Sequence, residues 1–186
     1  LGTRDFTIIE RGGLKIGIFG LMLQNLAGMV NQTNIVGLRV LSPIETARRM
    51  IAELEPKADC IIALTHQGVD EDSALAENVT GLNVIVGGHS HSRLRRPRVV
   101  NNVVIVQAGV DCENLGVLDL TIENKRIVKY DGQLLQLWAH EGRTTRLSPF
   151  IDSLRTEIDK EYSEVIATLT ADWKRGNGET NVGNFV

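Results

Sequence analysis

The spacing of apolar residues divides this chain into short strands and helices. Strand-like segments at residues 6–10 and 14–19 flank Arg11-Gly12-Gly13, and this arrangement predicts a β-hairpin. Apolar residues then recur at helical spacing from Ser42-Pro43, a typical helix start, to Pro56, which ends the helix. The first third of the chain therefore predicts two strands followed by a helix.

Two continuous apolar runs in the middle of the chain predict buried strands. Residues 60–65 form the first run and residues 83–86 the second, and a short helix beginning at residues 70–73 separates them. Strand, helix and strand in this order indicate a parallel crossover and an α/β fold. The acidic residues Asp70, Glu71 and Asp72 are assigned to helix capping, because carboxylates stabilise the first turn of a helix. Metal binding is the alternative for them.

The rest of the chain is rich in strand patterns and then helical. Residues 99–106, 115–123 and 127–137 are separated by polar turns and predict an antiparallel meander at the edge of the sheet. A long helix is predicted from Ser148-Pro149, and the glycine-containing tail at 174–186 is typical of a linker. The apolar face of the long helix comprises Ile151, Leu154, Ile158, Tyr162 and Ile166.

Three of the four histidines follow the two central strands. His66 closes the first run, and His89 and His91 lie in Gly87-Gly88-His89-Ser90-His91, directly after the second. The carboxyl ends of parallel strands meet at one edge of a sheet, where open α/β sheets place their chemistry. In an extended segment, residues i and i+2 project to the same side about 6–7 Å apart, so His89 and His91 would face one cavity. The pattern predicts a metal site. The alternative, histidines on the surface or bonded within the core, suits a single histidine better than three together.

Charge and cysteine content narrow the possible partners. The formal net charge is −3, so no general basic field attracts nucleic acid. A basic cluster at residues 92–98 could steer an anionic phosphate ester, but a solvated loop is the favoured interpretation. Cys60 and Cys112 lack metal-motif spacing, and a disulfide between them is possible but not indicated. No apolar run is long enough to span a membrane.

Several motifs together resemble a known family. They are Leu64-Thr65-His66-Gln67-Gly68, the histidine motif at 87–91, and Val106-Gln107-Ala108-Gly109 followed by Leu115-Gly116. They resemble the second half of a calcineurin-like metallophosphoesterase, in the branch of 5'-nucleotidases, cyclic-nucleotide phosphodiesterases and UDP-sugar hydrolases. The hairpin that ends with residues 15–21 also fits this family. The segment at 179–186 is similar to the start of its separate C-terminal domain.

The resemblance implies a fold and a domain organisation. The fold would be half of a four-layer α-β-β-α sandwich, with a mixed sheet and helices on its outer face. Residues 1–138 would be the second half of the metallophosphoesterase domain, and residues 139–173 a hinge and long linker helix. Residues 174–186 would begin a C-terminal nucleotidase domain. The family also implies a periplasmic, cell-surface or secreted location.

The resemblance further implies a reaction and its cofactors. Members hydrolyse nucleotide phosphate esters through a metal-activated hydroxide held by two divalent ions, such as manganese, zinc or iron. By motif position, His66 and His89 would bind one metal and His91 the other. No catalytic residue is expected in this chain, because the transition-state histidine belongs to the first half. No residue is assigned to substrate binding.

The first-half motifs of the family are absent from these 186 residues. They are an Asp-x-His, a Gly-Asp and a Gly-Asn-His-Glu. We therefore expect a fragment whose sheet exposes an inner face lined by Ile61, Ala63, Val84 and Val86, covered by the missing half or by a second copy. The alternative is a non-catalytic module that keeps the fold and binds metal weakly or not at all.

Overall fold

The computed structural model describes residues 3–137 and 144–168, and the chain divides into two compact units, Leu1–Trp138 and Ala139–Val186. The predicted hinge at 139–143, the end of the predicted linker helix at 169–173 and the tail at 174–186 lie outside the described residues. The first unit contains β1 (Phe6–Arg11), β2 (Leu14–Met22), α1 (Pro43–Leu54), β3 (Cys60–His66), α2 (Val69–Asn78), β4 (Val84–Val86), β5 (Arg98–Val100), β6 (Val103–Val106), β7 (Asn114–Glu123) and β8 (Arg126–Gln136); the second contains α3 (Ser148–Tyr162).

Six strands of the first unit form one mixed sheet in the order β1-β2-β3-β4-β6-β5. The strands β2, β3, β4 and β6 are parallel, and β1 and β5 run antiparallel at the two edges. The predicted crossover through α2 joins β3 to β4. The predicted edge meander is wrong in part, because β6 pairs parallel with β4 and β7 pairs with β8 in a separate two-stranded sheet. Residues Val103 to Ile105 are buried, as expected of an interior strand.

The helices α1 and α2 cover one face of this sheet. Ser42 caps α1 by accepting a hydrogen bond from the backbone N–H of Glu45 at 3.4 Å, and Pro43 occupies the first turn. The residues of α1 that become buried recur at helical spacing, from Ala47 to Leu54. They pack in one hydrophobic core with alternate residues of the strands, such as Phe19, Ala63 and Ile85. Because successive residues of a strand project to opposite faces, the residues between these lie on the other face of the sheet.

The open face of the sheet differs from the predicted one. Ile61 and Ala63 are buried against the helices, whereas Leu64 is 55% exposed and Val86 is 36% exposed. Only Val86 of the predicted set is therefore exposed. Val84 shares the open face but is buried. Asn83, directly before β4, donates from Nδ2 to the Lys125 carbonyl at 3.1 Å, which ties the β7–β8 turn to the start of β4.

The second unit contains α3, and none of its residues is buried. Its start is supported by Ser148 Oγ, which accepts a 2.7 Å hydrogen bond from the backbone N–H of Thr145. The predicted apolar residues Ile151 to Tyr162 lie on this helix and are exposed. Ile166 lies beyond the helix end, so its assignment to the helical face is wrong.

Both cysteines are free: Cys60 is buried and Cys112 is exposed. Burial raises the pKa of the Cys60 thiol to about 11, and the neighbouring Asp59 carboxylate adds to this shift. Cys60 is therefore protonated at neutral pH and behaves as a small core residue, as predicted. Among the described residues, no helix combines the length and apolar character needed to cross a membrane.

Candidate metal centre

Three parallel strands end at one edge of the sheet and carry the family-like motifs there. His66 is the last residue of β3, the Gly87–His91 loop follows β4, and Gln107 follows β6. The register places Leu64 beside Val86, so the last two residues of β3, Thr65 and His66, lie alongside the start of the loop that follows β4. The predicted placement of the histidine segments at this edge is confirmed.

The structure brings His66 and His89 together. Their ring centroids are 5.1 Å apart and the rings meet edge to face, at 66°. Gly88 permits this approach, because a Cβ atom there would lie 3.0 Å from His66 Nδ1 and 3.3 Å from the Thr65 carbonyl oxygen. The pair thus depends on a glycine in the loop as well as on the two strands.

His91 is exposed and does not join this pair in a three-residue centre. In residues 3–137 and 144–168, no group of three or more His, Cys, Asp or Glu side chains is placed to hold a metal ion. The predicted extended conformation of the loop is wrong, since φ is 80° at His89 and 53° at His91. Non-glycine residues with such angles cost about 1–3 kcal/mol each and persist only where surrounding contacts impose them.

Hydrogen bonds of Ser90 impose this bend. Its Oγ accepts a 3.1 Å hydrogen bond from the backbone N–H of Val69, at the start of α2, and donates to Gln107 Oε1 at 3.0 Å. Gln107 also donates from Nε2 to the Gly88 carbonyl at 3.0 Å. Ser90 is therefore an internal anchor of the loop.

A buried polar cluster lies beneath the loop and was missed from the sequence. It consists of Thr65, Gln67, Asp72 and Gln107, each no more than 5% exposed. Asp72 is fully buried, and its Oδ1 accepts a 3.0 Å hydrogen bond from Gln67 Nε2. Asp72 lies in the first turn of α2, as the capping assignment requires, but Gly68 occupies the N-cap without a side-chain capping hydrogen bond. Helix capping therefore does not account for the buried position of this carboxyl. The only available sequence indication was that Gln67 and Gln107 directly follow apolar strands.

Burial raises the pKa of the Asp72 carboxyl, and the nearby Glu71 carboxylate raises it further. The Thr65 hydroxyl and the Gln67 amide act in the opposite direction, because polar donors close to a carboxylate favour its charged form. Within the described part of the chain, neither Asp72 Oδ2 nor Thr65 Oγ1 has a hydrogen-bond partner of normal geometry. Asp72 therefore faces the interior and does not serve as a carboxylate ligand beside the histidines.

The pH dependence of stability should report on Asp72. Because its folded-state pKa is raised above 3.8, its contribution to stability is fully present below pH 3.8 and is lost as the pH rises through the folded value. The free energy of unfolding of the native chain should therefore fall relative to that of Asp72→Asn between pH 3 and 7. Urea denaturation across this range measures the difference. The exposed Asp70→Asn is the control, and a pH-independent difference for Asp72→Asn would contradict the shift.

The donor set fits part of a metal site. Two neighbouring imidazoles, one at the end of β3 and one in the loop after β4, suit one divalent ion of the zinc, manganese or iron type. Two ions would need further ligands, and the described residues bring no carboxylate beside the rings to offset the positive charge. The site is therefore suited to receive ligands from another segment.

Two of the basic residues in the 92–98 cluster have acidic partners. Arg93 forms an ion pair with Glu113, and Arg98 lies 3.8 Å from Asp70 and donates to Ser73 Oγ at 3.1 Å. These contacts provide a structural role for them and are consistent with the solvated-loop interpretation.

Comparison with known proteins shows which proteins this chain is similar to. The chain is 34% identical to a 5'-nucleotidase of Vibrio cholerae, over 97% of this chain and 41% of that protein. It is 28% identical to the trifunctional nucleotide phosphoesterase YfkN of Bacillus subtilis, over 100% of this chain and 13% of that protein. No family model matches the chain. The resemblance to the 5'-nucleotidase branch of the calcineurin-like metallophosphoesterases is confirmed.

Solved structures of this group share the fold. A 5'-nucleotidase precursor from Thermus thermophilus superposes with a TM-score of 0.62 at 29% identity, over 72% of this chain and 30% of that chain. The calcineurin-like phosphoesterase YfkN of Bacillus subtilis superposes with a TM-score of 0.66 at 19% identity, over 86% of this chain and 59% of that chain. The predicted α/β class, with a mixed sheet and helices on its outer face, is confirmed. The chain spans well under half the length of the 5'-nucleotidases that it matches.

Proposed function

We propose that this chain is the second half of the catalytic domain of a nucleotide phosphoesterase that uses two divalent metal ions. The observation that carries this proposal is the 5.1 Å pairing of His66 and His89 at the carboxyl ends of adjacent parallel strands. The names of the relatives, 5'-nucleotidase and nucleotide phosphoesterase, support nucleotide phosphate esters as substrates.

In this proposal the histidines hold the ions and the rest of the chain positions the histidines. His66 and His89 would share one ion, and the exposed His91 would contribute to the second. Two bound ions supply Lewis acidity toward the phosphate ester and toward the attacking water. The bend at residues 89–91 and the missing side chain of Gly88 set the direction in which the imidazoles face.

The remaining ligands are proposed to come from a first half of the domain. Three neutral imidazoles leave most coordination positions of two ions empty and their charge uncompensated. The open face of the sheet beside the histidines is apolar, with Leu64 55% exposed and Met22, paired in register with His66, 45% exposed. An apolar face of this kind needs a cover. A first half packed there would cover it and bring carboxylates to the metal edge, whereas the described residues of a second copy offer another histidine edge without a carboxylate grouped with it.

The proposal includes the functions of the remaining segments. Residues 139–173 would connect the catalytic domain to a C-terminal nucleotidase domain that begins at residues 174–186. Export from the cytoplasm, which the resemblance implies, stays a prediction. A second candidate is a non-catalytic module that binds metal weakly, and it is favoured by the absence of a three-residue centre among the described residues.

Phosphate release tests these alternatives. A nucleoside 5'-monophosphate is incubated with manganese and either the 186-residue chain, or a longer protein that includes a Gly-Asn-His-Glu first half. We expect no measurable release by the chain alone and metal-dependent release by the longer protein, abolished by a chelator.

Two results would contradict the proposal. Turnover by the 186-residue chain alone would show that it is not half of a site. A folded longer protein that is inactive with manganese, zinc and iron would favour the non-catalytic module.

A further inference from the structure

We propose that Asp72 is a positioning residue that links the segments carrying His66 and His89. The side chain of Asp72 contacts Gln67, which directly follows His66, and the backbone of Gly87, two residues before His89. The consequence for catalysis rests on the proposed function, whereas the link itself is a property of this chain.

The first contact is a hydrogen bond in a dry environment. Gln67 Nε2 donates to Asp72 Oδ1 at 3.0 Å, Gln67 is 4% exposed, and Asp72 is completely buried. Hydrogen bonds to a buried carboxyl are strong, and losing one partner leaves the other unsatisfied. The bond therefore holds the end of β3 to α2 at the residue after His66.

The second contact is a close approach to a backbone without a side chain. A Cβ atom on Gly87 would lie 2.3 Å from Asp72 Oδ2 and 3.1 Å from Gln107 Nε2. On the other side, the Gly87 backbone N–H donates to the Val106 carbonyl at 2.8 Å. Gly87 is thus held between β6 and the Asp72 carboxyl, which determines where the chain leaves β4 toward His89.

Capping of α2 does not explain why this carboxyl is buried. The backbone N–H of Asp72 already bonds to the Gly68 carbonyl at 2.9 Å, and Asp70 at the helix surface is well placed for the dipole. Burying a carboxyl with one oxygen unpaired costs free energy that an apolar residue would not. Such costs are typical of sites where geometry matters more than stability.

Proton NMR of the metal-free 186-residue chain tests this inference. The native chain should show a nuclear Overhauser cross-peak between the ring protons of His66 and His89. We expect loss of this cross-peak in Asp72→Ala and in Gln67→Ala, each of which removes the link from one side. Asp72→Asn keeps an acceptor for Gln67 and should retain the cross-peak, and Asp70→Ala is the matched surface control.

Retention of the cross-peak in a folded Asp72→Ala or Gln67→Ala chain would overturn the inference. If Asp72→Ala fails to fold, as judged by the dispersion of its amide spectrum, Gln67→Ala decides the question with the carboxyl intact. Loss of the cross-peak in a folded Asp72→Asn chain would also overturn it, because the link to Gln67 would then be insufficient. No metal or substrate is present, so the result is independent of phosphoesterase activity.

Discussion

Replacing His89 with alanine, in the protein that contains both proposed halves of the domain, is expected to lower kcat/KM for a nucleoside 5'-monophosphate by more than about 100-fold. Loss of residues that only orient metal ligands costs about 10–100-fold, and a direct ligand should cost more. The substitution removes one member of the His66–His89 pair. Phosphate release at saturating manganese and metal content by elemental analysis measure the effect, and both should fall.

The matched control is His140→Ala, which removes a histidine outside the three family-like motifs and should leave kcat/KM unchanged. Activity of His89→Ala within about tenfold of the unmodified protein, a smaller loss than direct metal ligands cause, would contradict the assignment of this histidine as a ligand.

Replacing Gly87 with alanine is expected to lower the free energy of unfolding by about 1–3 kcal/mol, the usual cost of overpacking. The new methyl group would lie 2.3 Å from the fully buried Asp72 Oδ2. Neither the carboxyl nor the backbone of Gly87 has room to move away, because Gln67 and Val106 hold them by hydrogen bonds. Urea denaturation of the 186-residue chain measures the change.

Gly20→Ala is the control for Gly87, since the nearest atom to its Cβ would be the Leu64 carbonyl oxygen, at 3.9 Å. It should leave stability unchanged or raise it by about 0.4–1 kcal/mol, because alanine restricts the unfolded chain. In the double variant Gly87→Ala with Asp72→Ala, the cost should be smaller than the sum of the two single costs, because the clash is gone. Additive costs would show that the two residues do not touch.

The central elements could be predicted because they depend on local chemistry. The helix start at Ser42-Pro43, and the strands ending at His66 and before Gly87, follow from capping, proline geometry and uninterrupted apolar runs. Parallel strands joined by a helix bring their carboxyl ends to one edge, so the chain order alone also places the histidine segments together.

The sheet faces could not be predicted in the same way. An apolar run such as residues 60–64 has no polar alternation, so it carries no information on which residues meet the helices. A shift of one residue exchanges the two faces, and only the packing of α1 and α2 decided that Ile61 and Ala63 point inward while Leu64 stays open.

The sequence by itself determined that the segments carrying His66, His89 and His91 lie at one edge of an α/β sheet, because strand ends and a strand–helix–strand crossover follow from local patterns. Only the tertiary structure decided that two of the imidazoles meet and that the loop bends at His89 and His91. It also decided that Asp72 is buried beneath them. These features depend on contacts between Gln67, Asp72, Ser90 and Gln107. The hydrogen bonds of Gln107 reach residues 17 and 19 positions away, which become its neighbours only when strands and helix pack together.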